Sequence, residues 1–261
     1  MKKSFFNRQN TAVTALFAGD SIAELVAKAR TAAANGADGI AVELRSLAPE
    51  LCTVDNFRDI INSVPLPSMF ICYRNNPWYG NDDDARQEFL LRAAEAGAEV
   101  IDVMGDLYSP APDELTLDTA AIEKQKKLIE EIHARGAKAL ISSHMHKLPP
   151  KSAEEIIELV KIQSAHGADI CKIVTNGNTE EGFLEAIKAD IRLSKEFDKP
   201  FIHLTNGKFG PLHRFMGIKL GLAVTFGVPY YDTTSYGQPL VSTFKQVRDL
   251  IPWDIDSALD R

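Results

Sequence analysis

The chain has 261 residues, 45% hydrophobic and 25% charged, proportions that suit a globular protein with a sizeable core and exclude disordered and collagen-like classes. Its formal net charge of −7 argues against non-specific binding to nucleic acid or an anionic membrane, so a small anionic ligand has to be drawn by a local basic pocket. Cys52, Cys72 and Cys171 are odd in number and lie in apolar runs, which reads as reduced thiols of a cytoplasmic protein. The basic start MKKSFFNRQN lacks a signal-peptide h-region, and no run reaches the ~20 apolar residues of a membrane span.

Eight apolar strand candidates follow along the chain, near residues 12–17, 39–45, 67–73, 99–104, 137–143, 168–174, 199–205 and 223–228. Helical patterns lie between them, such as SIAELVAKARTAAANG, ARQEFLLRAAEAGA, AAIEKQKKLIEEIHARG and SAEEIIELVKIQSAHG, with STFKQVRDLIPW last; their apolar residues recur at three and four. Four junctions resemble one another: NGADGI, AGAEVI, RGAKAL and HGADIC. Each places a glycine (Gly36, Gly97, Gly136, Gly167) where a helix ends in the left-handed conformation before a strand starts. Strand then helix, eight times, predicts a single TIM-barrel domain, a closed (β/α)8 fold over residues 1–261. A doubly wound open sheet is the alternative, but no Gly-x-Gly-x-x-Gly follows the first strand.

In such a barrel the chemistry stands at the C-terminal ends of the strands. In strand two, AVELRSL, the period of two puts Glu43 and Arg45 on one face, aimed at the mouth. Strand three ends in Arg74, followed by a loop with Trp78 and Tyr79. Strand five ends in His144 and His146, for which three readings stand: a metal pair, a general acid/base, or rings satisfied by backbone. The neighbouring strand ends supply mainly Arg, Lys and Asn, poor ligands for a divalent cation, whereas imidazole at neutral pH suits acid/base work. In strand six, ADICKIVTN, an ammonium group interrupts an apolar run. Lys172 is a snorkelling side chain, half of a structural ion pair, or a nucleophile whose neutral amine attacks a carbonyl. Strand seven runs into NGKFG, a candidate phosphate cradle, and then Arg214, a candidate carboxylate clamp. After strand eight, Gly237 and Gln238 offer a close backbone approach and an amide.

Taken together these residues resemble the type I 3-dehydroquinate dehydratase family, the Schiff-base class. Glu43 and Arg45 match its E-x-R on strand two, and Arg74 its arginine ending strand three. Ser142 and His144 match its S-x-H. The segment QSAHGADICKIV is similar to its M-Q-x-x-x-A-D-I-x-K-I-A, with Lys172 at the imine-forming lysine. Gly210 and Arg214 match G-x-x-x-R, Thr225 and Phe226 match T-F, and Gly237 and Gln238 match the end of P-G-Q. The resemblance implies a lyase that dehydrates 3-dehydroquinate to 3-dehydroshikimate in the shikimate pathway with no metal or organic cofactor. Lys172 would attack the C3 ketone, and His144 would remove a C2 proton and then protonate the departing hydroxyl. Arg214 and Gln238 would hold the ring carboxylate, and Glu43, Arg45 and Arg74 the ring hydroxyls. The implied partner is a small anionic substrate, without nucleic acid or membrane; a homodimer is compatible with the resemblance.

Four positions depart from that pattern. Trp78, Tyr79 and Gly80 replace an E-G-G loop, which implies that a carboxylate near the ring is missing. Met145 replaces the acidic residue after the catalytic histidine, His213 a serine before the arginine, and Tyr236 the proline before Gly-Gln. Two other readings stand beside the dehydratase. One is a Schiff-base lyase or aldolase acting on a related cyclic or polyhydroxylated keto acid, disfavoured by the lack of an acid expected beside Lys172. The other is a non-catalytic barrel that binds a metabolite.

Overall fold

The computed structural model describes residues 4–6, 10–231 and 238–260. Eight strands alternate with eight helices: β1 (Ala12–Phe17), α1 (Ile22–Ala34), β2 (Gly39–Glu43), α2 (Val54–Asn62), β3 (Ser68–Ile71), α3 (Asp83–Glu95), β4 (Val100–Met104), α4 (Thr119–Ala134), β5 (Lys138–His144), α5 (Ala153–Ala165), β6 (Ile170–Asn176), α6 (Glu180–Glu196), β7 (Phe201–Asn206), α7 (Gly210–Gly217), β8 (Val224–Gly227) and α8 (Val241–Leu250). The strands form one parallel sheet in the order β7-β6-β5-β4-β3-β2-β1-β8. Just ahead of β8, the Ala223 N–H donates to the Phe201 carbonyl of β7 at 2.8 Å, bringing the two ends of the sheet together into a nearly closed (β/α)8 barrel. No helix among the described residues is long and apolar enough to cross a membrane.

Local chemistry sets the boundaries. Each of α1 to α6 follows a Ser, Thr or Asp whose side chain accepts a backbone N–H of the first turn: Ser21, Thr53, Asp82, Asp118, Ser152 and Thr179. Such caps satisfy one orphan donor each and contribute roughly 1 kcal/mol apiece. At the other ends, the four repeated junctions close in one way. Gly36, Gly97, Gly136 and Gly167 have φ between 83° and 107°, and the alanine after each bonds back five residues, as Ala37 N–H does to the Ala32 carbonyl. This αL closure needs glycine. The next residue then opens the strand: Asp38 donates to Val13, Glu99 to Ser68, Lys138 to Glu99 and Asp169 to Ala139. The repeat is therefore a device that stops a helix and sets strand register within three residues.

The strand interiors are buried almost throughout, with the core running through both barrel and helix layer. Cys52, Cys72 and Cys171 are free and buried in it, and burial pushes their thiols up to about 12, 11 and 12, which makes them inert at neutral pH. Register decides what meets at the top: Met104 pairs with Ser142, and Ser142 with Lys172. Side chains from β4, β5 and β6 thus share one level.

Candidate active site

At the C-terminal end of the barrel a cavity of about 190 Å³ is walled by Leu16, Ile71, Val174, Leu204 and Phe226. Its polar lining consists of Glu43, Tyr73, His144, Lys172, Asn206, Arg214 and Gln238. Lys172 and Val174 face it together, as the period of two requires.

The Lys172 ammonium is partnered below the cavity floor. Its Nζ lies 3.0 Å from Asp102 Oδ2, and both side chains are almost fully buried. It also donates to the Tyr73 hydroxyl at 2.5 Å. That hydroxyl donates to Asp102 Oδ2 at 2.8 Å, and Ser142 Oγ donates to Asp102 Oδ1 at 2.5 Å. Asp102 therefore accepts three bonds, the condition under which a buried ion pair is tolerated. Burial, reinforced by the Asp102 charge, raises the Tyr73 phenol well above its ordinary value, so it keeps its proton.

His144 is oriented from a different loop. Glu114 Oε2 accepts the His144 backbone N–H at 3.0 Å and bonds ring Nδ1 at 2.8 Å. A carboxylate only accepts, so Nδ1 carries the proton and the neutral ring keeps its lone pair on Nε2. Tyr73 packs edge-on against the same ring, centroids 4.8 Å apart. Burial alone would raise the Glu114 carboxyl, but the bonds from His144 outweigh it and hold the group below its ordinary value. Glu114 has a left-handed backbone, φ 51°, without being glycine, and its carbonyl accepts from Ser143 Oγ at 2.8 Å. Strain of this kind survives only where surrounding contacts hold it.

Arg214 offers the opposite environment. One Nη donates to Asn206 Oδ1 at 2.9 Å, while Nη1 is buried with no partner among the described residues, as is Gln238 Oε1. Burial lowers the guanidinium to about 10, still a cation at neutral pH. Among the described residues, Glu43 is the only carboxylate in the cavity lining.

Behind Arg214 a buried His–Asp–His group spans α6, β7 and α7. Asp190 Oδ1 bonds His203 Nδ1 at 2.6 Å, and Asp190 Oδ2 lies 3.1 Å from His213 Nε2. Burial lowers the pKa of His213, whereas its histidine neighbours, outweighing burial, hold Asp190 below its ordinary value. The 2.6 Å contact is hydrogen-bond length and too short for a metal ion between the two atoms.

Several sequence expectations change against this geometry. Arg45 is not on a strand: β2 ends at Glu43 and Arg45 sits in a 3-10 turn, Leu44–Ser46, its Nε 3.6 Å from Glu43 Oε2. Arg74 does not line the cavity; it bonds Asp106 at 2.6 Å and Asp83 at 3.0 Å. Nearby carboxylates draw the fork away from the mouth. Trp78 is half exposed and also outside the cavity lining, and Tyr79 packs on Phe89. The NGKFG segment is no open cradle, because the N–H groups of Lys208, Phe209 and Gly210 donate to Asn178 Oδ1, the Gly177 carbonyl and the Gly207 carbonyl. His146 does not join His144 in a ligand group; among the described residues the three-member group is Asp190, His203 and His213. Gly237 and Tyr236 lie outside the described residues.

Residues 14–252 match the family model for type I 3-dehydroquinase. The chain belongs to that family. It is similar to 3-dehydroquinate dehydratase of Klebsiella pneumoniae subsp. pneumoniae, 25% identical over 96% of this chain and 97% of that one. The bifunctional 3-dehydroquinate dehydratase/shikimate dehydrogenase of Arabidopsis thaliana is 29% identical over 88% of this chain and 35% of that one. In fold it resembles the type I 3-dehydroquinate dehydratase of Clostridium difficile bearing covalently modified comenic acid, with a TM-score of 0.75, 17% identity and 94% of each chain covered.

Within this type I 3-dehydroquinase frame, three residues of the site were absent from the sequence reading. Asp102 supplies the acid beside Lys172 that the motif comparison lacks, and its signal is present in the sequence: a charge inside the apolar run VIDVM. Glu114 places a carboxylate beside His144 despite the altered loop at Trp78, and only its left-handed backbone and loop path bring it there. Tyr73 carries no signal in sequence, since an aromatic residue at a strand end is ordinary.

Proposed function

We propose that this protein is a lyase that dehydrates 3-dehydroquinate to 3-dehydroshikimate through an imine on Lys172. The observation that carries the reading is one cavity lined together by Lys172, His144 and a buried Arg214 whose Nη1 has no partner among the described residues. Arg214 takes the ring carboxylate through its free donor, as a desolvated guanidinium with no ion-pair partner binds an anion strongly. That places the ring ketone over Lys172. Loss of water leaves a protonated imine, an electron sink that acidifies the neighbouring C–H. His144 Nε2, its lone pair directed by Glu114 at Nδ1, takes that proton and returns it to the departing hydroxyl. Glu43 and Gln238 offer polar contacts to the ring hydroxyls and carboxylate, while Arg45 and Arg74 support the rim.

The test is borohydride reduction in the presence of 3-dehydroquinate. The expected result is a mass adduct confined to Lys172, with the conjugated enone product forming in its absence. A folded protein that gives neither adduct nor enone overturns the reading. An adduct without enone moves the assignment to another Schiff-base lyase, for which the acid beside Lys172 is suited.

A further inference from the structure

Imine formation needs two proton transfers in addition to the C–H abstraction assigned to His144. The Lys172 ammonium must lose a proton before it attacks, and the carbinolamine oxygen must gain one before it leaves as water. Asp102 is the adjacent base, yet it lies under the floor, 1% exposed and outside the cavity lining. Tyr73 does line the cavity, touches Nζ at 2.5 Å and donates to Asp102 at 2.8 Å. One hydroxyl thus bridges the reacting amine and the buried carboxylate, on a residue that lines the cavity the carbonyl group has to enter.

We propose that Tyr73 is a catalytic residue of the imine-forming step, relaying a proton between Asp102 and the carbinolamine oxygen. The proposal rests on the reading that Lys172 forms an imine. In the first transfer the ammonium gives a proton to the Tyr73 oxygen as the phenol gives its own to Asp102, leaving a neutral amine and a carboxylic acid. The amine adds to the carbonyl carbon, and its surplus proton passes to the new alkoxide. Tyr73 then protonates the carbinolamine hydroxyl and is refilled by Asp102; the C–O bond breaks, water leaves, and the nitrogen lone pair closes the C=N bond. Asp102 ends as a carboxylate and the imine as a cation, so ketone plus ammonium become iminium plus water with atoms and charge balanced. Hydrolysis of the product imine runs the same path in reverse. Tyr73 remains a phenol at rest, because burial and the Asp102 charge raise its pKa.

The test compares the full-length protein with Tyr73→Phe, which removes the bridging oxygen and keeps the ring against His144. Glycolaldehyde with cyanoborohydride is the first probe, because it reports amine reactivity at Lys172 whatever the natural substrate. The rate of Lys172 adduct formation is expected to fall at least tenfold in Tyr73→Phe, with the same final amount of adduct and an unchanged circular dichroism spectrum. A merely structural role would lower the final amount and leave the rate of the surviving fraction alone. Equal rates in the two proteins, or no Lys172 adduct in either, overturns the relay. Borohydride trapping with 3-dehydroquinate is the second probe. If the wild-type protein fails this one while glycolaldehyde still labels Lys172 in a Tyr73-dependent way, the substrate assignment falls and the relay stands.

Discussion

Lys172 and Arg214 open on one cavity, and they are held in opposite ways. Lys172 has a carboxylate at 3.0 Å and a phenol at 2.5 Å, so its charge is compensated before any ligand arrives. Arg214 is buried too, but among the described residues it has a single amide oxygen at 2.9 Å and an Nη1 with no partner. A nucleophile has to exchange its proton, which calls for an adjacent acid and base; an anion clamp has to stay charged and unsatisfied until its ligand supplies the missing acceptor. The contrast also predicts opposite effects on stability when Lys172 loses its carboxylate and when the Arg214 charge is itself removed.

The largest expected effect is on chemistry. Lys172→Ala should reduce turnover by roughly 10⁴-fold or more, the scale for removing a covalent nucleophile, while 3-dehydroquinate binding measured by calorimetry persists through Arg214. Turnover within tenfold of wild type would exclude the imine. Next, the two sides of the comparison separate in thermal melts. Asp102→Ala leaves the Lys172 ammonium buried without its carboxylate and should destabilise the fold by about 3–5 kcal/mol. Arg214→Met removes a buried charge that has no ion-pair partner among the described residues and should raise Tm, even as KM rises by roughly 10- to 150-fold from the loss of a charge-assisted contact worth roughly 1.5–3 kcal/mol. If Arg214→Met lowers Tm, the guanidinium is paired in solution and the contrast with Lys172 fails.

How much of this was legible in the sequence follows from what makes a residue conspicuous. The barrel was readable because the Gly-Ala junctions encode a steric need, a φ only glycine adopts cheaply, repeated where helices give way to strands. Lys172 stood out as a charge in an apolar strand, and Asp102 carried the same mark in VIDVM. Only the folded barrel reveals that the two cancel each other: in register Lys172 is level with Ser142 and Asp102 with Leu140, and the long Lys172 side chain reaches the Asp102 carboxylate at 3.0 Å. Arg45 and Arg74 were placed by extending strands past their ends, by two residues for β2, which stops at Glu43, and by three for β3, which stops at Ile71; beyond a strand's end alternation no longer fixes direction. Glu114 was illegible for a different reason. It sits among other acids between β4 and α4, and its role depends on a left-handed backbone held by a bond from Ser143 to its carbonyl.

Glu114 supplies the smallest effect and a check by pH. Its carboxyl pKa is lowered in the fold, because the bonds from His144 more than offset burial. A carboxylate with a depressed folded pKa contributes stability that is fully present above its unfolded value, about 4.3, and is lost as pH falls through the lower folded value. Glu114→Gln keeps the side-chain shape and one acceptor oxygen. Its Tm deficit relative to wild type should therefore be present at pH 7, correspond to no more than about 1 kcal/mol, and shrink as the medium is acidified below pH 4. Turnover should drop by roughly 10- to 100-fold at pH 7, because the amide supports the Nδ1–H tautomer less strongly and does not stabilise the imidazolium that forms on proton abstraction. A Tm deficit that stays constant from pH 7 to pH 3 would mean that the Glu114 contact is one of shape alone, and the orientation of His144 would have to come from Tyr73 and the backbone.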